Sequence, residues 1–342
     1  MRIFPFTTEG RRKSLCPFTL FSCILAVFLF SCRSDGDSVS PSASEKETEE
    51  TIETEETVDS STERCIEVQG HRGARGLRAE NTLAAFRYAL EVRSDVLELD
   101  LHATRDDILV VTHDPAINWS ICLPPEGRPA EGKVIIRSLT LEELQRYDCG
   151  SLVDPRFPDQ KPEPGERIPS LREVLELVSA PKYRKVGLNI ELKSIPSRPD
   201  LYPEPREYAS LLMDELKKYD AVRRTTVQSF DHRVLREVLE IDPSVSVSVL
   251  TGRSSHDYAA LLKKTGGRII SPHHEWITAE DVTAVRSAGG RVIPWTANNP
   301  EEWDRLIRAG VDGIITDYPC RLIAYLEKAG RRVSCPVYYP EP

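Results

Sequence analysis

The chain has 342 residues, of which 40% are hydrophobic and 29% charged, and its formal net charge is −9. That composition supplies enough apolar side chains for a large folded core. The charge is uneven: residues 1–32 carry +3 and residues 33–64 carry −8, so −4 of the total of −9 remains on residues 65–342. A mildly acidic body has no basic field to hold nucleic acid, which argues against that class of partner.

The first 31 residues are predicted to be an export signal. Arg11, Arg12 and Lys13 precede the apolar run LCPFTLFSCILAVFLF, which is too short to span a bilayer comfortably. The LFSC that ends at Cys32 resembles the cleavage motif of bacterial lipoproteins. This predicts an exported protein, lipidated at Cys32 and anchored to a membrane in the periplasm or on the cell surface. The alternative is an ordinary secretory signal in which Cys32 has no special role.

Residues 32–64 are predicted to form a disordered acidic tether. From Arg33 to Arg64 there are 11 acidic and three basic residues, with almost no apolar side chains. Such a segment cannot bury enough surface to offset the loss of chain entropy, and its like charges repel one another. We therefore expect the folded domain to span residues 65–342.

Residues 65–342 alternate between short β-rich runs and helical patterns. The eight predicted strands are IEVQGH, DVLELDLHAT, KVGLNIELK, TTVQSF, SVSVSVL, RIISPH, RVIPWTA and DGIITD. Two capping boxes, Thr140–Glu143 and Ser170–Glu173, mark helix starts. Eight strands interleaved with helices predict an α/β fold, a (β/α)₈ TIM barrel. An open, doubly wound sheet is the alternative, but no glycine fingerprint opens the first helix.

One segment interrupts the alternation. RDDILVVTHDP, after the second strand, is predicted to return as the other half of a hairpin. A Pro- and Gly-rich insertion then runs from about residue 116 to residue 168. Long insertions in compact domains are usually functional or disordered. We expect this one to hold one small helix and to cap the mouth of the barrel.

Five cysteines remain in the body, and none are spaced as Cys-x-x-Cys, which argues against a zinc site. Export permits disulfides. The odd number requires at least one thiol to be free or to pair outside the body. The pairings suggested by the sequence are Cys122 with Cys149 and Cys320 with Cys335, which leaves Cys65.

Charged side chains gather at the predicted carboxyl ends of the strands, where TIM barrels hold their active sites. Glu98 and Asp100 face one way because they are two residues apart. With Glu191 they would lose hydration at the mouth unless a cation joined them, and hard oxygen ligands suit Ca²⁺ or Mg²⁺ better than zinc. The alternative is a purely structural pairing with Arg72 or Lys193.

The ordered motifs of the body resemble the glycerophosphodiester phosphodiesterase family over essentially its whole length. They are HRG…ENT, LELDLHATRDD…VVTHD, LTLEEL, RIPSLREVL, NIELK, QSF, PWTANN and DGIITDYP. The resemblance implies a TIM-barrel enzyme that uses a divalent metal to cleave glycerophosphodiesters to glycerol 3-phosphate and an alcohol. It also implies that the glycerol 2-hydroxyl attacks first and that water then opens a cyclic phosphate.

Roles follow from the resemblance by motif. It implies an acid/base pair of His71 and His113, metal ligands Glu98, Asp100 and Glu191, phosphate-binding residues Arg72 and Lys193, and a glycerol pocket lined by Phe230 and Trp295. His102 is expected to be a neighbour of the site and not a ligand, and Glu80 and Asn81 to orient the first loop and cap its helix. Candidates for further substrate contact are His273, His274 and Trp276.

Two departures from the family pattern occur, of which the first is a tolerable exchange at a turn and the second leaves the preferred alcohol open. Arg105-Asp106-Asp107 stands where the family usually has a Lys-Asp-Gly turn, and AINWSICLPP follows HDP where a run such as Leu-Asp-Arg-Thr-Thr is common. One alternative function is that of a phospholipase D-like enzyme acting on sphingomyelin or lysophospholipids. Another is a non-enzymatic surface lipoprotein that binds a partner.

Overall fold

The computed structural model describes residues 65–126, 129–254 and 257–331. The predicted signal, Cys32, the acidic tether and Cys335 lie outside these ranges. Among the helices within them, none combines the length and hydrophobicity that crossing a membrane requires.

Eight parallel strands in the described residues form the wall of a barrel, and a ninth pairs antiparallel with the second. The strands are β1 Glu67–Gly70, β2 Val96–Ala103, β3 Leu109–Val111, β4 Gly187–Leu192, β5 Thr225–Ser229, β6 Ser246–Leu250, β7 Ile269–Ser271, β8 Arg291–Val292 and β9 Gly313–Thr316. Around the wall the order is β8, β7, β6, β5, β4, β2, β1 and β9, with β3 as the hairpin partner of β2. The predicted strands and the hairpin are therefore confirmed.

The barrel is nearly closed between β8 and β9. The N–H groups of Asp312 and Ile315 donate to the carbonyls of Val292 and Pro294 at 2.9 and 3.0 Å. The strand β8 is short because Pro294 follows it closely and has no N–H to give to a ladder. A parallel eight-stranded wall of this kind confirms the predicted TIM barrel.

Helices connect the strands and cover the outside of the wall. They are α1 Leu83–Glu91, α2 Leu141–Leu144, α3 Leu171–Val178, α4 Pro205–Lys218, α5 His232–Ile241, α6 Tyr258–Thr265, α7 Ala279–Ser287, α8 Pro300–Ala309 and α9 Pro319–Lys328. The capping boxes of Thr140 and Ser170 begin α2 and α3, as predicted. Apolar residues of the helices and of the outer strand faces, such as Phe86, Leu99 and Leu212, are fully buried together.

The first part of the insertion has a small core of its own. Ile117, Ile136 and Leu144 pack there with a disulfide between Cys122 and Cys149. This confirms one predicted pairing. The other is wrong, because Cys320 is a free thiol. It lies in the first turn of α9, which carries the chain about 13 Å away along its axis.

The second part of the insertion packs beside the mouth of the barrel. Gln160 Nε2 donates to the carbonyls of Arg75 and Arg78 at 2.6 and 3.1 Å. The guanidinium of Arg75 lies 4.7 Å from the centre of the Phe157 ring. Among the described residues of the insertion, none lines the central cavity. The second part of the insertion therefore lies beside the mouth, and its role as a cap stays a prediction.

Candidate active site

A cavity of about 300 Å³ opens at the carboxyl ends of the strands. Its lining includes all nine residues that the sequence predicted for catalysis, metal binding and substrate binding: His71, Arg72, Glu98, Asp100, His113, Glu191, Lys193, Phe230 and Trp295. The structure thus brings the predicted set together at one opening, while Cys32 lies outside the described residues. The roles of these residues stay predictions.

Three buried carboxylates form the floor of the cavity. Glu98 and Asp100 project from β2, and Asp100 lies directly opposite Glu191 in the β2–β4 register. Each of Glu98, Asp100 and Glu191 offers an oxygen within 4.8 Å of the oxygens of the others. This all-oxygen donor set fits a hard divalent cation.

The charges of the three carboxylates are unequal. Burial, together with the neighbouring charge of Asp100, raises the pKa of Glu98 well above its usual value. Burial acts in the same direction on Asp100, but Arg72 and Lys193 outweigh it and hold the pKa of Asp100 well below its usual value. The two neighbouring cations, Arg72 and Lys193, do not balance all three carboxylates, and a bound cation would supply the missing positive charge.

Two cations flank the carboxylates. Lys193 Nζ lies 2.9 Å from Glu191 Oε1 and 3.6 Å from Asp100 Oδ1. The Arg72 guanidinium lies between Glu80 Oε1, to which its Nη1 donates at 2.8 Å, and Asp100 Oδ2, 3.3 Å from its Nε. Both side chains are positioned to hold an anion that enters the cavity.

The turn after β1 has an uncommon backbone conformation that brings Arg72 to the cavity. Arg72 has a φ of +50°, an uncommon left-handed conformation for a residue with a side chain, and its N–H donates to Glu98 Oε2 at 2.8 Å. Gly73 follows at a φ of +84°, with the Ala85 backbone only 2.7 Å from where a β-carbon would lie. Glycine is therefore required, because α1 approaches so closely.

His71 is held by a buried aspartate that follows β9, the neighbour of β1 on the side away from β2. Its Nδ1 lies 2.6 Å from Asp317 Oδ1, and Asp317 is fully buried just after β9. Arg75 binds the same carboxylate through two N–H groups at 2.9 and 3.0 Å, and Asn298 Nδ2 donates to it at 2.8 Å. Although burial opposes it, the hydrogen bond of His71 and the charge of Arg75 lower the pKa of Asp317. Asp317 is thus an ionised acceptor, so His71 carries its proton on Nδ1 and has a free lone pair on Nε2.

His113 has a similar arrangement on the insertion side. Its Nδ1 lies 2.8 Å from Asp114 Oδ1, and Asn118 Nδ2 donates to Asp114 Oδ2 at 3.0 Å. His102 Nε2 lies 3.1 Å from the His113 carbonyl, and the His102 ring stacks on Tyr202 at 5.4 Å. His102 is therefore a neighbour of the site, as predicted, and does not belong to the carboxylate cluster.

The remaining wall of the cavity is apolar. Trp295 is fixed by a hydrogen bond from its Nε1 to the Ser271 carbonyl at 2.8 Å, and Phe230 meets it edge to face at 5.8 Å. His273 packs against the outer side of Trp295 at 5.2 Å and does not line the cavity. The His274 carbonyl accepts from Arg305 Nη2 at 2.6 Å, which makes this residue part of the loop scaffold.

The sequence did not assign the partners that orient the predicted residues. Gln228 and Asp317 stood at the ends of the fourth and eighth predicted strands without a role, and Arg75 was not singled out. Asn81 was predicted to help cap the first helix, but the cap of that helix is Thr82. The Asn81 side chain instead donates to Asp100 at 2.9 Å. The period-two spacing of Glu67, Gln69 and His71 was the available signal that polar residues line the inside of β1.

The family model described as the glycerophosphoryl diester phosphodiesterase family matches residues 71–321. The chain belongs to this family. The match begins at His71 and extends past Asp317, so it spans the histidines, the carboxylate cluster and the apolar wall.

Individual family members agree with that assignment. A glycerophosphodiester phosphodiesterase of Caldanaerobacter subterraneus is 34% identical over 263 residues, which is 77% of this chain and 98% of that protein. A glycerophosphodiester phosphodiesterase of Bacillus subtilis is 31% identical over 258 residues, covering 73% and 82%. A crystal structure from Silicibacter pomeroyi that bears the family's name has a TM-score of 0.75 at 30% identity and covers 79% of this chain and 96% of its own.

Proposed function

We propose that this chain hydrolyses glycerophosphodiesters to sn-glycerol 3-phosphate and an alcohol, with a divalent cation, Ca²⁺ or Mg²⁺, held by Glu98, Asp100 and Glu191. The observation that supports this most directly is the cluster of three carboxylates within 4.8 Å, with two histidines, an arginine and a lysine around one cavity. A bound cation would offset negative charge on the phosphate oxygens as it builds during attack.

His71 is the general base in this proposal. Its Nδ1 bonds to Asp317, so the Nε2 lone pair takes the proton from the glycerol 2-hydroxyl as that oxygen bonds to phosphorus and the alcohol oxygen leaves. Water then opens the cyclic phosphate: His113 takes a proton from the water, and His71 returns one to the glycerol 2-oxygen as its bond to phosphorus breaks. Burial lowers the pKa of His71 to about 4, which keeps the ring neutral and able to accept. Asp317 then stabilises the imidazolium that forms, as the aspartate of a catalytic triad does.

His113 is the general acid. Its side chain is 34% exposed, so it lies nearer the opening through which an alcohol leaves. Asp114 accepts from its Nδ1 and orients the ring, and the other ring nitrogen gives a proton to the departing oxygen. Arg72 and Lys193 hold the phosphate between the two rings, while Phe230 and Trp295 contact the glycerol carbons.

The test is release of glycerol 3-phosphate from glycerophosphocholine by the purified protein. We expect turnover with Ca²⁺ or Mg²⁺, its loss in EDTA, and its return when either ion is added back. Sphingomyelin and a lysophospholipid, assayed in parallel, should be poor substrates. Preference for an intact lipid would support a phospholipase D-like enzyme, and no turnover of any diester would leave a binding protein.

We also propose that the protein is exported and anchored through Cys32, with residues 32–64 as a tether to the domain at 65–342. The support is the sequence pattern alone: an apolar run that ends at a cysteine, followed by an acidic segment. Metabolic labelling with a fatty acid should label the wild-type protein and fail to label Cys32→Ser. A chain without residues 33–64 should keep its turnover of soluble diester.

A further inference from the structure

A continuous chain of buried side chains crosses the inside of the barrel from its lower end to the carboxylate cluster. Gln69 Nε2 donates to Glu67 Oε1 at 2.6 Å, and Asn189 Nδ2 donates to Gln69 Oε1 at 2.8 Å. Asn189 Nδ2 also donates to Gln228 Oε1 at 3.1 Å. Gln228 Nε2 then donates to Glu98 Oε1 at 2.9 Å. All five of these residues are at least 97% buried.

The chain runs through the interior and not around the wall. Asn189 on β4 reaches Gln69 on β1 although β2 lies between those strands. Gln228 on β5 reaches Glu98 on β2 across β4 in the same way. Side chains of strands that are not neighbours meet only inside a closed barrel. The lowest and highest members of this polar chain are therefore coupled through the core itself.

The direction of every hydrogen bond in the chain follows from its lower end. Arg291 Nη2 donates to Glu67 Oε2 at 3.0 Å, so Glu67 is the hydrogen-bond acceptor at this end of the chain. Gln69 must therefore turn its amide nitrogen to Glu67 and its oxygen to Asn189. Asn189 in turn must present its nitrogen to Gln69, and the second proton of that nitrogen serves Gln228. Gln228 is thereby left with its own nitrogen towards Glu98.

An unsatisfied atom marks the same arrangement. Asn189 Oδ1 is buried and has no hydrogen-bond partner among the described residues. An orphaned buried carbonyl is costly, and turning the amide over would normally relieve it. Here the turn would set the Asn189 oxygen against the oxygens of both Gln69 and Gln228. The orphan is the consequence of one nitrogen that serves two acceptors.

We propose that Asn189 and Gln228 are positioning residues for the cation site. Asn189 donates to the Gln228 oxygen, which fixes the Gln228 amide with its nitrogen towards Glu98. That nitrogen donates to Glu98 Oε1, and the Arg72 N–H donates to Glu98 Oε2. The two donors fix the plane of the Glu98 carboxylate, which directs its remaining lone pairs at the cavity. Partners of this kind orient metal ligands and account for much of the affinity of a site. The proposal rests on the cation site proposed above.

The experiment measures binding of the metal alone. Full-length protein is stripped with EDTA and titrated with CaCl₂ and with MgCl₂ by isothermal titration calorimetry. The variants are Gln228→Met, which keeps the length of the side chain without a donor, Asn189→Leu, and the double variant. The matched control is Ser248→Ala, because Ser248 is buried, lies opposite Gln228 in the β5–β6 register, and has an Oγ without a hydrogen-bond partner in the described residues.

We expect Gln228→Met to lose about 10- to 100-fold in divalent affinity. Asn189→Leu should lose affinity as well, and the double variant should match Gln228→Met within about twofold, because both changes remove the same donor from Glu98. Ser248→Ala should bind as the wild type does. If Gln228→Met does not fold, Gln228→Asn, whose shorter amide cannot reach Glu98, carries the same expectation.

Two results would overturn the inference. One is that Gln228→Met binds Ca²⁺ and Mg²⁺ with the same affinity as a wild-type protein that does bind these ions. The other is a double variant whose loss is the product of the two single losses, since independent effects would mean that Asn189 does not act through Gln228. A wild-type protein that binds neither ion refutes the proposed cation site first. The thermal midpoint of each stripped variant separates lost affinity from lost folding.

Discussion

The inside of the barrel has two unlike halves. On the side of β1, β2, β4 and β5, amide and carboxylate side chains fill the interior in one hydrogen-bonded chain from Glu67 to Glu98. On the side of β7, β8 and β9, Ile269, Ile293 and Ile315 form an apolar cluster under Trp295. Both halves are buried, yet one is held by directional contacts and the other by packing.

The opening of the barrel shows the same difference between its two sides. Above the polar half lie the carboxylates, Arg72 and Lys193, and above the apolar half lies Trp295, which Phe230 at the end of β5 meets edge to face. Apolar packing has no preferred direction and contributes mainly to stability, whereas hydrogen bonds fix orientation and are costly when incomplete. A glycerophosphodiester carries its charged phosphate between a glycerol and a second alcohol. The polar half therefore lies where the phosphate of the proposed substrate would bind, and the apolar wall lies where carbons of its glycerol would pack.

The largest effect is expected at the histidines on the polar side. His71→Ala and His113→Ala should each lower kcat by about 10²- to 10⁴-fold, because each removes a proton-transfer group. The two are distinguished by a diester with a p-nitrophenol leaving group, which departs without an acid. That substrate should restore most of the rate to His113→Ala and little to His71→Ala. Equal rescue of both variants would contradict the assignment of base and acid.

A cavity in the apolar half should affect stability and leave the cation site intact. Ile293 is 1% exposed, so Ile293→Ala should lower the free energy of unfolding by about 2–5 kcal/mol. Urea denaturation gives that value, and calorimetry should give unchanged Ca²⁺ affinity in the same preparation. A matching loss of affinity would mean that the two halves are coupled.

Acid should destabilise the polar half selectively. Burial lowers the pKa of His102 to about 4 from an unfolded value near 6.5. The unfolded chain therefore binds more protons in this window, and the stability due to neutral His102 is lost as pH falls from about 6.5 to 4. Between pH 7 and pH 4, the wild type should lose about 3 kcal/mol more than His102→Phe in EDTA.

The control for this pH experiment is Ile293→Ala. Its denaturation curve should lie below that of the wild type at every pH, with the same dependence on pH, since no titrating group is changed. Equal pH dependence in the wild type and His102→Phe would show that His102 is not neutral in the folded state.

The smallest effect is expected from the apolar wall. Trp295→Ala should raise KM for glycerophosphocholine about tenfold and change kcat less, because the ring contributes contact area and no charge. Trp295→Phe should recover part of that loss. A fall in kcat as large as that of His71→Ala would instead assign Trp295 to the reacting groups.

The sequence predicted the barrel and its strands because period-two spacing and strand ends are local signals, and the resemblance to the family implied the nine residues around the cavity. Partners across the barrel have no local signal. Asp317 lies 246 positions from His71, and Gln228 lies 130 positions from Glu98, so only the closed wall brings them together. The wrong pairing of Cys320 has the same origin, since proximity in the chain says little about where a helix directs a thiol.

The way the chain enters the barrel separates that junction from the opening. Cys65 and Ile66 lead straight into β1, so the polypeptide joins the barrel at the amino ends of the strands, on the opposite face from the cavity. A small molecule that enters the cavity therefore does not pass the point at which the chain joins the domain, and changes at that junction can be made without touching the cavity wall.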